Sequence, residues 1–209
     1  MGPDFEMEKA AYAAGRLHIA GVDEVGRGPL AGPVTAAAVV LDPARIPDGL
    51  NDSKQLSKKR REALAELLIN CAMVSVGHAS VEEIEQVNIL RASHLAMQRA
   101  VAGLPVVPDH VLVDGAMVPH GMNLPVTPVV KGDTRCLSIS AASIVAKIAR
   151  DLIMVDLAQQ HPGYGWETNM GYGSKSHMAA LRDLGVTPHH RRTFKPVHKM
   201  LYQEKIISS

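Results

Sequence analysis

The stretch Ile19-Ala20-Gly21-Val22-Asp23-Glu24-Val25-Gly26-Arg27-Gly28-Pro29-Leu30-Ala31-Gly32-Pro33 decides how the rest of the chain is read. An apolar run delivers two adjacent carboxylates into a glycine-rich loop that carries one arginine. Carboxylates are hard oxygen ligands suited to Mg²⁺ or Mn²⁺. Glycines let backbone groups come close to a phosphate or a sugar. Together they point to metal-dependent chemistry on a phosphodiester. The competing reading is an ordinary turn after a buried strand, with two solvated acids, and a short motif alone does not separate the two. The glycines do not complete G-x-G-x-x-G, and the segment lacks the G-K-[ST] ending of a P-loop, so dinucleotide and ATP chemistry find no support.

Outward from this stretch, Leu17 to Val25 reads as a buried strand and Val34 to Leu41 as a second, rich in Val and Ala. The Gly28-Pro29 and Gly32-Pro33 pairs between them mark turns. Ser57 to Asn70 reads as a helix with Ser57 as N-cap and Leu64, Leu67 and Leu68 as its apolar stripe. Ala72 to Ala79 is a third strand. Ser80 with Glu83 fits a capping box, and a longer helix runs from about Ile89 to Ala102. Val111 to Gly115 and Val126 to Val130 are the fourth and fifth strands. Ser140 to Gln160 is a long helix, followed by a turn-rich stretch, a helix near Ser176 to Leu184 and a basic segment.

Strands that come early and close together, then alternate with helices, predict a mixed sheet: an antiparallel hairpin first, β-α-β crossovers later. Ligands gather at the carboxyl ends of the parallel strands in such sheets. Asp23, Glu24, Asp114 and Asp133 all fall at predicted strand ends, and this convergence favours a metal site over a solvated turn. Adjacent strand residues point to opposite faces, so Asp23 and Glu24 share an ion only if the backbone turns or bulges nearby, and Gly26 and Gly28 are close enough to do it.

Composition bounds the rest. The chain has 209 residues, 46% hydrophobic and 21% charged, with a mean hydropathy of +0.03, as in ordinary globular proteins. Aromatic residues are only 3%, so the core rests on Ala, Val, Leu, Ile and Met. A net charge of +1 does not announce a nucleic-acid binder, so any such footprint comes from local clusters. Two exist: Lys58-Lys59-Arg60-Arg61, and His189-His190-Arg191-Arg192 with Lys195 following. Cys71 and Cys136 form no C-x-x-C pair and read as two buried free thiols in a reducing compartment. No apolar run approaches the ~18 residues of a membrane span, and the first fifteen residues, acidic and alanine-rich, are unlike a signal peptide. The expected location is the cytoplasm.

With these residues assembled, the chain resembles bacterial ribonuclease HII from about Ile19 to Val197. The resemblance is carried by Gly21 through Pro29, Asn51-Asp52-Ser53-Lys54, Val113-Asp114-Gly115, Lys131-Gly132-Asp133, Ser140-Ala141-Ala142-Ser143-Ile144, Gly171-Tyr172 and His189-His190-Arg191-Arg192. Around the tyrosine the chain reads Asn169-Met170 before it and Gly173-Ser174 after it, where the family often shows proline and threonine.

The resemblance implies an RNase H-like α/β fold: a mixed five-stranded sheet flanked by helices, with a C-terminal helical extension. The corresponding division is a flexible segment over 1–16, a catalytic core over 17–155 and the extension over 156–209. It also implies an endonuclease that cleaves the RNA strand of RNA–DNA hybrids and nicks duplex DNA on the 5′ side of an embedded ribonucleotide. Asp23, Glu24, Asp114 and Asp133 are then the catalytic, metal-binding carboxylates, with Mg²⁺ or Mn²⁺ as cofactor and two ions when substrate is bound. Two ions on the order of 3.5–4 Å apart stabilise both the attacking and the leaving oxygen of an in-line displacement. Asp23 is the expected bridge, Glu24 and Asp114 complete one site, and Asp133 leans to the other. Backbone groups of Gly26, Arg27 and Gly28 read the 2′-hydroxyl, which separates RNA from DNA, and Tyr172 packs on the adjoining sugar. Ser53, Lys54 and Lys131 are candidate phosphate contacts near the cut, and Arg191, Arg192 and Lys195 candidates further away. The expected partner is an RNA–DNA hybrid or ribonucleotide-containing duplex, bound by a monomer.

Two other functions share the acidic sheet. One is a module that holds hybrids without cutting them. The other is a transposase-like strand-transfer enzyme, which lacks the Gly26-Arg27-Gly28 and Tyr172 pair. The ten histidines raise zinc, but none falls in the C-x₂-C…H-x₃-H spacing. Ser140 and Ser143, small residues on a helix, suit close helix–sheet packing better than nucleophilic catalysis.

Overall fold

The computed structural model describes residues 2–202. Its sheet has five strands in the order β3-β2-β1-β4-β5. They are β1 (Ile19–Val25), β2 (Val34–Leu41), β3 (Ala72–Ala79), β4 (His110–Asp114) and β5 (Val126–Val129). The first three strands pair antiparallel, and β1–β4 and β4–β5 pair parallel. This is the mixed sheet the strand and helix pattern predicts, with the five strands the resemblance implies.

All eight residues of β2 are buried, because both faces of the sheet are covered. Ala36, Ala38 and Val40 face Ala92, Ala96 and Ala100 of α3 (Val81–Ala102). Ala37, Val39 and Leu41 face the other way, towards α2 (Lys58–Cys71) and α4 (Leu137–Gln160). The small residues matter because they let backbones approach. A Cβ on Gly21 of β1 would lie 2.1 Å from the Ser138 carbonyl carbon, so α4 rests directly on β1. Any larger residue at 21 would lift α4 off the strand that carries Asp23.

Ser57 caps α2 by accepting the Arg60 N–H at 3.3 Å. Ser80 and Glu83 form the full reciprocal capping box of α3. The sequence separates a helix capped by Ser80 from a longer one beginning near Ile89, and α3 is kinked there: Asn88 has φ +69°, and its side chain re-caps the second half through the Leu90 and Arg91 N–H groups.

One expectation needs correction and two gain detail. Within the lead expected over 1–16 there is regular structure. Glu6–Ala13 forms α1, whose Glu8 is buried and accepts from both the backbone N–H and the hydroxyl of Ser138. That distant cap also explains why α4 begins at Leu137 rather than Ser140. The boundary at 155/156 falls inside α4, which runs unbroken to Gln160. Its second half shares a core with the helices α5 (Trp166–Asn169), α6 (Lys175–Leu184) and α7 (Lys195–Tyr202), where Met154 and Leu157 meet Trp166, Leu181 and Val197. Of the two cysteines only Cys136 is buried, and burial pushes its thiol up to about 12; Cys71, at the end of α2, is part exposed.

Candidate active site

The parallel register brings the acids together. The β1–β4 ladder pairs Val22 with Val113, and the next residues along the two strands are Asp23 and Asp114. Asp133 follows from β5 by way of Lys131, whose left-handed φ of +56° starts the single 3₁₀ turn Gly132–Thr134. The Gly132 N–H donates to Asp114 Oδ1 at 2.7 Å, so the turn that carries one acid is fixed by another.

Asp23 is 6% and Asp133 8% exposed. Burial raises the Asp23 pKa well above the usual carboxylate range, and the negative charges of Glu24, Asp114 and Asp133 add to it, against a hydrogen bond from Ser143. The Glu24 carboxyl is also raised by burial and by Asp114, with Arg27 opposing at 3.2 Å. Asp133 is raised by burial, then by Asp114 and Asp52, with Lys54 opposing. Carboxyls that raise one another in this way hold protons in the absence of a cation and release them when one binds.

The backbone does not bulge between Asp23 and Glu24. Antiparallel pairing with β2 continues regularly through Val25↔Thr35, and the chain turns only at Gly26, with φ +94°. The two acids therefore leave opposite faces near the strand end. Among the described residues no three acidic, histidine or cysteine side chains close round one point. The donor set is all oxygen, which fits Mg²⁺ or Mn²⁺, and such ions commonly complete their shells with water and substrate phosphate around one or two carboxylates.

Lys54 is exposed, with Nζ 3.8 Å from Asp133 Oδ2 and 3.9 Å from Asp52 Oδ1. Ser53 is buried, with its hydroxyl 2.9 Å from that of Ser143. Its place is therefore beneath the acids rather than on an open phosphate-facing surface. Ser143 is the residue the sequence reading underrated: it stands on α4 with its hydroxyl donating to Ser53, and its polarity acts to lower the pKa of Asp23 against burial.

The loop after β1 lies beside this cluster. Arg27 and Gly28 are exposed, while Gly26 is buried. A Cβ on Gly28 would sit 3.5 Å from Tyr172 Cε1, so the 47%-exposed tyrosine ring borders the loop. Lys131 and Arg192 are exposed, as expected of backbone contacts, although the Arg192 N–H is held by Glu85 at 2.6 Å. Lys195 is exposed at the start of α7.

Arg191 is different. It is fully buried, and its guanidinium donates to the carbonyls of Gly26, Arg27, Gly32 and Pro33. It cannot grip a nucleic-acid backbone from there. A charged residue in a basic run reads as surface from sequence, and only the tertiary structure reveals a crown of carbonyls waiting for it.

The neighbouring histidines are likewise spent on structure. His177 Nδ1 pairs with the Tyr172 carbonyl at 2.9 Å, and its Nε2 accepts from Trp166 Nε1 at 3.0 Å.

A family profile described as Ribonuclease HII matches residues 20–204. The chain belongs to the ribonuclease HII family. It is 80% identical over 193 residues to the ribonuclease HII of Roseobacter denitrificans, covering 92% of this chain and 98% of that one. Among solved structures, the ribonuclease H2 from Pyrococcus horikoshii OT3 superposes with a TM-score of 0.76 at 28% identity, over 92% of this chain and all of that one. Bst-RNase HIII, solved in complex with Mn²⁺, has the same fold with a TM-score of 0.70 at 21% identity, over 94% of this chain and 73% of that one. As a member of this family the protein is a hydrolase, an endonuclease that cuts the RNA strand of RNA–DNA hybrids. Among the described residues no helix is long and apolar enough to cross a membrane.

Proposed function

We propose that the protein cuts by metal-assisted hydrolysis at Asp23, Glu24, Asp114 and Asp133, and that it also nicks duplex DNA on the 5′ side of a single embedded ribonucleotide. The observation that carries the reading is the electrostatic one. Asp23 is buried within the fields of three other carboxylates, an arrangement that is costly without a cation and becomes favourable with one. The Mn²⁺ found in Bst-RNase HIII, a protein of the same fold, supports a divalent ion.

A divalent ion held by these acids would supply a nucleophilic water at neutral pH and stabilise charge on the phosphate oxygens. The remaining tasks belong to side chains. Ser143 favours the charged form of the Asp23 carboxyl. The Gly132 N–H fixes Asp114. Lys54, close to Asp133 and exposed, meets the phosphate of an incoming strand and offsets the negative charge that the acids present to it. Arg27 and Gly28, exposed beside the Tyr172 ring, receive the ribose: the loop takes its 2′-hydroxyl, and the ring covers the next sugar with flat apolar surface.

The test uses duplex DNA with one ribonucleotide, incubated with the protein and Mg²⁺ or Mn²⁺. The expected product is a nick on the 5′ side of the ribonucleotide, lost with Asp23→Asn and on metal removal. Cleavage of long hybrids without any nick at a single ribonucleotide would refute the finer specificity. Full activity of Asp23→Asn would refute the assigned centre.

A further inference from the structure

Two fully buried arginines lie outside the acidic centre, Arg150 on α4 and Arg191 before α7. Among the described residues neither takes part in an ion pair. Burying an uncompensated guanidinium is costly. Burial pushes Arg150 down to about 10 and Arg191 to about 9. What both receive in return is backbone carbonyls from one loop. Arg150 donates to Pro33 and Ala31 at 3.0 and 3.1 Å, and also to Met170 at 3.0 Å. Arg191 donates to Gly26 at 2.6 Å, and to Arg27, Gly32 and Pro33 at 3.0–3.1 Å. The Pro33 carbonyl is shared by both.

The direction of these bonds has a stereochemical consequence. In a trans peptide the C=O and the following N–H point opposite ways, and no peptide bond of the described chain is cis. Drawing the Gly26 carbonyl inward onto Arg191 turns the Arg27 N–H outward. Drawing the Arg27 carbonyl inward turns the Gly28 N–H outward as well. Arg27 and Gly28 are the two exposed residues of this loop beside Tyr172. On the far side, Arg150 holds the Met170 carbonyl, two residues before that tyrosine. Gly26 accommodates the arrangement because it lacks a side chain: a Cβ there would lie 2.2 Å from Arg150 Nε.

We propose that Arg150 and Arg191 are a pair of positioning residues that aim the Arg27 and Gly28 amides at the ribose hydroxyl and tie that loop to Tyr172, so that the choice of a ribonucleotide over a deoxyribonucleotide depends on them. The inference rests on the reading of this loop given under Proposed function. Neither arginine touches substrate, and both act through the backbone they hold.

The test compares affinities for two duplexes, one carrying a single ribonucleotide and the other entirely deoxy, measured in EDTA so that no cutting intervenes. The variants are Arg150→Lys, Arg191→Lys, Arg150→Gln and Arg191→Gln, each checked first for a cooperative thermal transition. Met154→Leu, which alters the packing under Gly32 and leaves both guanidinium groups untouched, controls for general loosening. The wild type and Met154→Leu are expected to prefer the ribonucleotide duplex. The folded arginine variants are expected to bring that preference to within about twofold of unity, with affinity for the all-deoxy duplex unchanged. Folded arginine variants that keep the full preference overturn the proposal. So does failure of all four to fold, which would make the pair a requirement of the core alone. A wild type with no preference between the duplexes refutes the underlying reading of the loop instead, and the inference with it.

Discussion

Glu8 accepts the backbone N–H of Ser138 at 2.9 Å and its hydroxyl at 2.6 Å, across 130 residues of chain. The first turn of α4 thereby receives an acceptor that its own N-cap, Cys136, does not supply. The second Glu8 oxygen is buried without a partner, and burial raises this carboxyl above its ordinary value. Glu8→Ala leaves the Ser138 groups unsatisfied in the interior, at a cost of about 1–3 kcal/mol. Urea denaturation should report that loss, with the slope against urea unchanged. An unaltered midpoint would mean that α1 contributes nothing to the core.

Ser143 should matter to metal binding although it holds no metal. Its hydroxyl polarity favours the charged form of Asp23, against burial and three negative neighbours. Groups that orient a ligand in this way are typically worth roughly 10- to 100-fold in metal affinity. Ser143→Ala should weaken Mn²⁺ binding, read by calorimetry, by about tenfold, and should also lower the thermal midpoint, because the buried Ser53 hydroxyl loses its partner. Equal affinities would show that α4 serves this centre by packing alone.

The sheet and its four terminal acids were legible because their signals are local. Apolar runs that end in acids close to a glycine, at Asp23-Glu24-Val25-Gly26, Asp114-Gly115 and Gly132-Asp133, mark both the strand and its carboxyl end, and parallel pairing then gathers those ends. Glu8, Ser143 and Arg191 were not legible in the same way, because each acts on a partner far away in sequence. Nothing in Ala142-Ser143-Ile144 reveals that Asp23 lies above it. Arg191 and Arg192 are adjacent and alike in sequence, yet one is fully buried and the other exposed. The difference follows from the carbonyl crown after β1, which no local pattern encodes.

Lys54→Ala tests the phosphate contact. The Lys54 side chain is 80% exposed, yet its ammonium faces two carboxylates at the edge of the acidic cluster. Burial tends to lower its pKa, but Asp52 and Asp133, with Asp23 and Asp114 behind them, raise it overall, so the charge is secure at neutral pH. A lysine on phosphate releases a counterion, and its removal should weaken duplex binding and reduce the slope of log affinity against log salt by about one. An unchanged slope would place Lys54 outside the interface and leave it only a local partner of Asp133.

Acid should loosen the face that carries Tyr172 before it loosens the sheet. The hydrogen-bond pattern fixes the tautomers of two buried histidines. His177 Nε2 accepts from Trp166, so its Nδ1 carries the proton given to the Tyr172 carbonyl. His190 Nδ1 accepts the Thr187 N–H at 3.0 Å, so its Nε2 carries the proton and points it at the same His177 nitrogen, 3.1 Å away. Protonating His190 turns this acceptor against a donor. Burial, with the charges of His177 and His189 behind it, lowers its pKa to about 3. The unfolded chain takes up this proton near pH 6.5, so between about pH 6.5 and about 3 the unfolded state binds more protons and stability falls as pH falls. The slope from this one group approaches about 1.4 kcal/mol per pH unit at most. Thermal midpoints of the wild type should therefore drop from pH 7 to pH 4.5. Those of His190→Gln should start lower, since the Thr187 N–H loses its acceptor, but decline less over the same range. Parallel declines would place the acid sensitivity in other groups.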